Sequence, residues 1–306
     1  MNAIQRRVFS GVLLFVAVAA VAATSRGAAD PYLGRWDLTI TQGDAKRPSW
    51  LEIEEKNGAV TGRFVGTGGS AGPVADLRIE GGRLIFSTGN MELRLAARGK
   101  RISGTISRAN ETLEVSGRRA PRLAPRGKPR WGAPIQLFSG KNLAGWRLIN
   151  PAASNWIVKD GALLNTGRGS NIATEQKFDD FQLHIEFNCP PGCNSGVYLR
   201  GRYEVQVEDN EMNAPPTSRL GGVYGFLAPE VEMPRRPGEW QSFDITLRGR
   251  LVTILQNGRT IVRDREIPGI TGGALDSDEG QPGPVYLQGD HGGLAFRNIV
   301  LRPGRR

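Results

Sequence analysis

The sequence predicts an all-β protein: a two-sheet antiparallel sandwich in its C-terminal part, preceded by a small β-meander or barrel. Three observations carry this expectation. Short runs alternate apolar and polar residues along most of the chain after position 30, as half-buried strands do. Gly, Asn, Pro or charged pairs separate those runs, which is the punctuation of turns. Helical periodicity is almost absent. At 306 residues the chain is long enough for two domains, or for one large β domain with an addition.

Residues 1–29 read as an export signal, with Arg6 and Arg7, an apolar run over 8–21, and small residues around Ala20-Val21-Ala22. Arg6-Arg7-Val8-Phe9 also fits a twin-arginine pattern loosely, so the export route stays open. An uncleaved anchor is the competing reading, but Ser10 and Gly11 interrupt the run and it is short for a span. The expected location is the periplasm or the outside of a bacterial cell, with no stable membrane span once the signal is removed.

Over 30–117 follow short strands such as Arg35-Trp36-Asp37-Leu38-Thr39-Ile40 and Met91-Glu92-Leu93-Arg94-Leu95, spaced like a meander of hairpins. Gly58-Ala59-Val60-Thr61-Gly62 and Lys100-Arg101-Ile102-Ser103-Gly104 echo each other, which suggests repeated hairpins in a small barrel or curved sheet. No cluster of catalytic residue types lies here, so an accessory or binding module is expected. Residues 118–131 are rich in Pro and Arg and read as an extended linker and domain boundary.

The formal charge of +10 is local. Residues 30–117 hold twelve basic and eleven acidic side chains, 118–130 hold six basic and none acidic, and 131–306 balance at nineteen each. A nucleic-acid surface needs a basic face with stacking aromatics, and that pattern is absent, so no nucleic-acid partner is expected.

Within 132–306 about ten strand candidates appear, including 181–187, 203–207, 242–248 and 251–256, with Asn257-Gly258 a hairpin signal. Phe181, Leu183, Ile185 and Phe187 make one apolar face, and Phe243, Ile245 and Leu247 another. His184 falls on the opposite face from its apolar neighbours and reads as an ordinary surface histidine. Cys189 and Cys193 are the only cysteines and in an exported protein form either a small disulfide or two free thiols. Two more ligands would be needed for zinc, and His184 and His291 have no ligand spacing, so no metal is expected. The acidic loop Asp276-Ser277-Asp278-Glu279 does not match an EF-hand.

The stretch 194–209 organises the rest. It reads as two strands around a Gly-Arg corner, and in the second Tyr203, Val205 and Val207 point one way while Glu204, Gln206 and Glu208 point the other. That polar row, with Arg200 before it and Asp209 after it, is what a sugar-binding cleft needs.

Several motifs from 134 to 302 together resemble the bacterial 3-keto-disaccharide hydrolases, also described as 3-keto-glucoside lyases or hydratases. They are Leu137-Phe138-Ser139-Gly140-Lys141-Asn142-Leu143-Ala144-Gly145-Trp146, Asn194-Ser195-Gly196-Val197-Tyr198-Leu199-Arg200-Gly201, Tyr203-Glu204-Val205-Gln206, Gly283-Pro284-Val285-Tyr286-Leu287-Gln288 and Phe296-Arg297-Asn298-Ile299. The resemblance implies a concanavalin-like jelly roll whose concave sheet holds a sugar, and a reaction on glycosides already oxidised at C3. The ketone acidifies the C2 hydrogen, so a modest base can remove it. Donors must then stabilise the enolate, and loss of the C1 substituent followed by addition of water completes a net hydrolysis. This requires no nucleophilic serine or cysteine, and no cofactor is expected.

On that chemistry Glu204 is the candidate general base, or else a ligand of sugar hydroxyls or an ion-pair partner of Arg200. Arg200 is the candidate donor to the C3 oxygen. His291, just past a strand end and flanked by glycines, is a candidate acid or base, with Asp290 orienting its ring. Gln206 and Gln288 should bind hydroxyls, and Asp209 and Tyr224 are further candidate lining residues. Trp156 and Trp240 are expected in the core. A conventional glycosidase carboxylate pair is the runner-up enzyme reading, with Glu204 partnered by Glu208 or Asp209. A non-catalytic carbohydrate-binding protein on the same fold and a structural envelope protein are the other classes.

Overall fold

The computed structural model describes residues 26–125, 127–128, 130–209 and 214–305; the expected export segment lies almost wholly outside them. Among the described residues no helix is long and apolar enough to cross a membrane. The chain is all-β, built as two bodies of sheet.

The first is a nine-stranded antiparallel sheet wrapped into a nearly closed barrel. The first long strand, Gly34–Gln42, pairs with the last, Glu111–Arg119, in the middle of the spatial order. Alternation then fills the interior with Trp36, Leu38, Leu51, Phe86, Leu93 and Val115, all buried. The echoed sequence pieces have a physical cause. A Cβ at Gly62 would stand 3.1 Å from the Glu52 carbonyl oxygen, and one at Gly104 would collide with Arg94 carbonyl oxygen. At both places neighbouring strands of the curved sheet approach too closely for a side chain, and only glycine fits.

The second body is a two-sheet sandwich of the jelly-roll kind. Its larger sheet has eight strands, with Leu294–Pro303, Phe181–Asn188, Trp240–Arg248 and Leu251–Gln256 side by side. The smaller has five, in the order Trp146–Leu148, Ile172–Thr174, Tyr286–Leu287, Asn194–Leu199, Tyr203–Glu208. Phe181, Leu183, Ile185, Phe243, Ile245 and Leu247 meet Val197, Leu199, Val205 and Val207 between the sheets. His184 lies on the outer face of the large sheet, with Nδ1 2.7 Å from Asp244 Oδ1. Trp156 is buried and donates to the Ser170 carbonyl, 2.6 Å. Trp240 departs from expectation: it is 36% exposed at a strand start, where Arg297 stacks on its ring at 3.9 Å.

The described residues of 118–131 do not behave as a free spacer. The Leu123 carbonyl accepts from Arg250 N (3.0 Å), the Gly127 carbonyl from Arg248 (3.0 Å) and the Arg130 carbonyl from Arg305 N (2.7 Å). The segment is strapped along the sandwich, because its backbone carbonyls find donors there despite the repulsion between its side chains. The loop Asp276-Ser277-Asp278-Glu279 joins the two bodies. Ser277 Oγ donates to the Leu38 carbonyl at 2.6 Å, Asp278 pairs with Arg118, and Asp276 with Arg202 at 2.7 Å. Its fourth member, Glu279, is fully buried and pairs with Arg250.

Candidate active site

The outer face of the five-stranded sheet, opposite the sandwich core, floors a cleft of about 850 Å³, within the roughly 300–1,000 Å³ range of small-molecule sites. The hairpin Asn194–Leu199/Tyr203–Glu208 supplies the floor, in a register that sets Tyr198 opposite Glu204 and Gly196 opposite Gln206. Glu204 lies across Gly196, where a Cβ would stand 2.6 Å from Glu204 Cγ. The missing side chain is what lets this carboxyl fold down onto the sheet.

Glu204 is 3% exposed, and its Oε2 lies 2.9 Å from the Tyr198 hydroxyl. The same hydroxyl lies 3.0 Å from the Gly272 carbonyl oxygen. One hydroxyl proton cannot serve both acceptors. With Glu204 ionised the proton goes to its Oε2, and this hydrogen bond favours the charged carboxyl. Burial pushes the Glu204 carboxyl up to about 8; the Tyr198 hydrogen bond pulls it back, and the negative charge of Asp290 adds to the rise. This is the environment of a carboxyl poised near neutrality.

Tyr286 packs its ring edge-on to Tyr198, centroids 4.7 Å apart, and its hydroxyl accepts from Asn171 Nδ2 at 2.6 Å. Burial, then the charge of Glu204, holds the Tyr198 phenol well above its ordinary range, and burial followed by Asp290 does the same for Tyr286. Both stay neutral donors. Asn171 Oδ1 also accepts from Gly289 N at 2.6 Å, which fixes the start of the loop carrying Asp290 and His291.

On that loop Asp290 Oδ1 stands 2.6 Å from His291 Nδ1. The hydrogen bond to Asp290 raises the imidazole above its ordinary value, ahead of the opposing effect of burial. Burial alone would raise Asp290, but the hydrogen bond and charge of His291 outweigh it and hold the carboxylate low. His291 is about half exposed (49%), so substrate can reach its ring.

Gln206 and Gln288 both line the cleft, and each leaves its buried side-chain carbonyl oxygen without a donor among the described residues. Tyr224 also lines it, anchored by its backbone N–H to the Glu204 carbonyl at 3.0 Å. Glu208 lines the same floor, engaged by Leu220 N (2.9 Å) and Arg235 (3.4 Å). Glu204 and Glu208 are separated by four residues of one strand, about 13 Å of backbone, which is wide for a glycosidase pair.

Two expected members of the site stand elsewhere. Arg200 sits at φ +52° in the hairpin corner, so the alternation that places Glu204 no longer governs it. Its Nη2 instead donates to Tyr203 Oη (2.8 Å) and the Gly249 carbonyl (3.0 Å), in a buried cluster with Glu279 and Arg250. The expected role as donor to the C3 oxygen is therefore corrected. Asp209, at the strand end, accepts from Gly192 N at 3.3 Å and gives its own N–H to the Cys193 carbonyl. It closes the turn spanned by the Cys189–Cys193 disulfide rather than lining the cleft. Tyr198, Tyr286 and Asn171 are members that sequence reasoning passed over. The signal was present for Tyr198, which shares a strand face with Gly196 and falls opposite Glu204 once the corner is closed as a hairpin.

Among known proteins, the profile of the 3-keto-alpha-glucoside-1,2-lyase-like domain matches residues 133–302. A 3-keto-disaccharide hydrolase of Bacteroides thetaiotaomicron is 25% identical over 42% of this chain; the match spans 57% of that protein's length. A proposed glycosyl hydrolase from Parabacteroides distasonis is 31% identical, with 60% of this chain and 94% of that one covered and a TM-score of 0.48. The carbohydrate-binding module CBM66 of Bacillus subtilis is 14% identical over 52% of this chain and 95% of its own, at a TM-score of 0.36.

Proposed function

The chain belongs to the 3-keto-alpha-glucoside-1,2-lyase-like domain family, and on that premise we propose that it cleaves glycosides carrying a ketone at C3 by elimination and hydration. The observation that carries this reading is Glu204: a buried carboxyl, poised at about 8, on the floor of a cleft that also holds the hydroxyls of Tyr198 and Tyr286 and the amides of Gln206 and Gln288.

In its ionised form Glu204 takes the proton from C2, and the electron pair moves into the C2–C3 bond as the C3 oxygen becomes an enolate. The phenol of Tyr286, which accepts from Asn171 and keeps its own proton to give, is the donor available to that oxygen, in place of Arg200. Protonated His291, held by Asp290, gives its proton to the departing C1 oxygen as that bond breaks. Water then adds across the C1–C2 double bond: His291 takes one proton of the water as its hydroxyl bonds to C1, and Glu204 returns a proton to C2, which restores both residues. The free carbonyl oxygens of Gln206 and Gln288 fit ring hydroxyls, which can supply the donors these atoms lack.

The test is Glu204→Gln in the full chain, incubated with a 3-keto-glucoside while the unsaturated keto-sugar and free 3-keto-glucose are followed. The expected result is loss of turnover by about 10²–10⁴ with substrate still bound. Retention of near-normal turnover overturns the assignment. Saturable sugar binding by the wild-type chain with no product would instead favour a carbohydrate-binding protein.

A further inference from the structure

The cleft is not made by the sandwich alone. Lys46, Arg47 and Pro48 and residues 67–70, all from the barrel, line it as well. The barrel is seated there by contacts that leave no slack. A Cβ at Gly225 would stand 2.7 Å from Ala71 N, and one at Gly272 would meet Gly69 N at 2.7 Å. Trp50 of the barrel packs edge-on against Phe226 of the sandwich, centroids 5.0 Å apart. Side-chain-free positions on the sandwich therefore receive barrel backbone, and Gly272 is the residue whose carbonyl faces Tyr198.

The charges are arranged unequally. The acids of the sandwich side are engaged, with Glu208 facing Arg235, Asp290 facing His291 and Glu204 bonded to Tyr198. On the barrel side Lys46 and Arg47 are exposed, and neither forms an ion pair among the described residues. On the elimination reading the reacting ring lies over Glu204, and the barrel forms one wall of the cleft around it.

We propose that the barrel wall is the leaving-group subsite, and that Lys46 and Arg47 select glycosides whose leaving group carries a carboxylate or phosphate. This rests on the elimination reading above for the placement of the ring. The structure assigns the barrel a share in specificity, in place of the accessory role its composition suggests.

The experiment uses the full chain, as wild type and as the Lys46→Ala/Arg47→Ala double variant. Both side chains are exposed, so the variant folds on the same core. Turnover is measured on two 3-keto-glucosides with the same aromatic leaving group, one bearing a carboxylate and one without. The ratio of kcat/KM for the acidic over the neutral substrate should fall about five- to tenfold in the variant, through KM, and the wild-type ratio should fall with added salt. An unchanged ratio overturns the proposal. If the wild-type chain turns over neither substrate, the elimination reading fails by itself. Equilibrium binding of an aryl glucoside and its carboxylated counterpart then decides the subsite: lost preference for the acid in the variant supports it, and equal preference overturns it.

Discussion

Glu204 shows how one residue's chemistry is set by three neighbours. Gly196 gives it room, Tyr198 shares its proton, and Asp290 keeps its charged form costly. The Tyr198 hydrogen bond favours the ionised carboxyl, so Tyr198→Phe should move the Glu204 pKa above about 8. The acid limb of the kcat/KM profile should shift to higher pH, which a pH–rate series on one 3-keto-glucoside would read; an unmoved limb would mean another group titrates there. The alternation of one strand was enough to place Glu204 and Gln206 on the cleft side. It failed for Arg200, because a left-handed corner residue breaks the two-residue period, and for Asp209, because the strand ends there. Tyr198 was readable only through the cross-strand register, which depends on how the corner closes.

At the scale of elements, the loop from Thr271 to Glu279 carries both a wall of the site and the joint between barrel and sandwich. Under it Arg250 and buried Glu279 form an ion pair that also takes in the Tyr203 hydroxyl, 2.7 Å from Glu279 Oε1. Removing the cation leaves a carboxylate buried without its partner, so Arg250→Ala should lose about 3–5 kcal/mol in urea unfolding. A loss under 1 kcal/mol, on the order of an exposed pair, would contradict that. The sequence 276–279 reads only as an acidic loop whose spacing does not match an EF-hand. What it does depends on arginines distant in sequence, such as Arg118 and Arg202, and spacing within the loop carries no trace of them.

For the whole molecule, the all-β class, the inward faces of the sandwich strands and the change of composition at 118–131 were legible because each is a local pattern. The docking of the barrel onto the cleft was not, since it is made by glycines and backbone that have no periodicity. That joint also buries Asp37, whose carboxyl is pushed up to about 9 by burial and then by the charge of Glu279, against the pull of Arg250. Unfolded, the same group titrates near 4, about 3.9. Its raised value means that the contribution of Asp37 to stability is full below about 4 and is lost as pH climbs through the window up to about 9, since only the unfolded chain has released the proton there. Asp37→Asn should therefore show a smaller drop in denaturant midpoint between acidic and mildly alkaline buffer than the wild type. An equal drop would place the pH dependence elsewhere.

The central claim is that glycoside cleavage begins with removal of the C2 proton by Glu204. Substituting deuterium at C2 of a 3-keto-glucoside and comparing kcat/KM with the unlabelled substrate reads that step directly. A normal primary isotope effect in the wild-type chain is predicted. Cleavage with no isotope effect at C2, at any pH below about 8, would mean direct displacement at C1 and would contradict it.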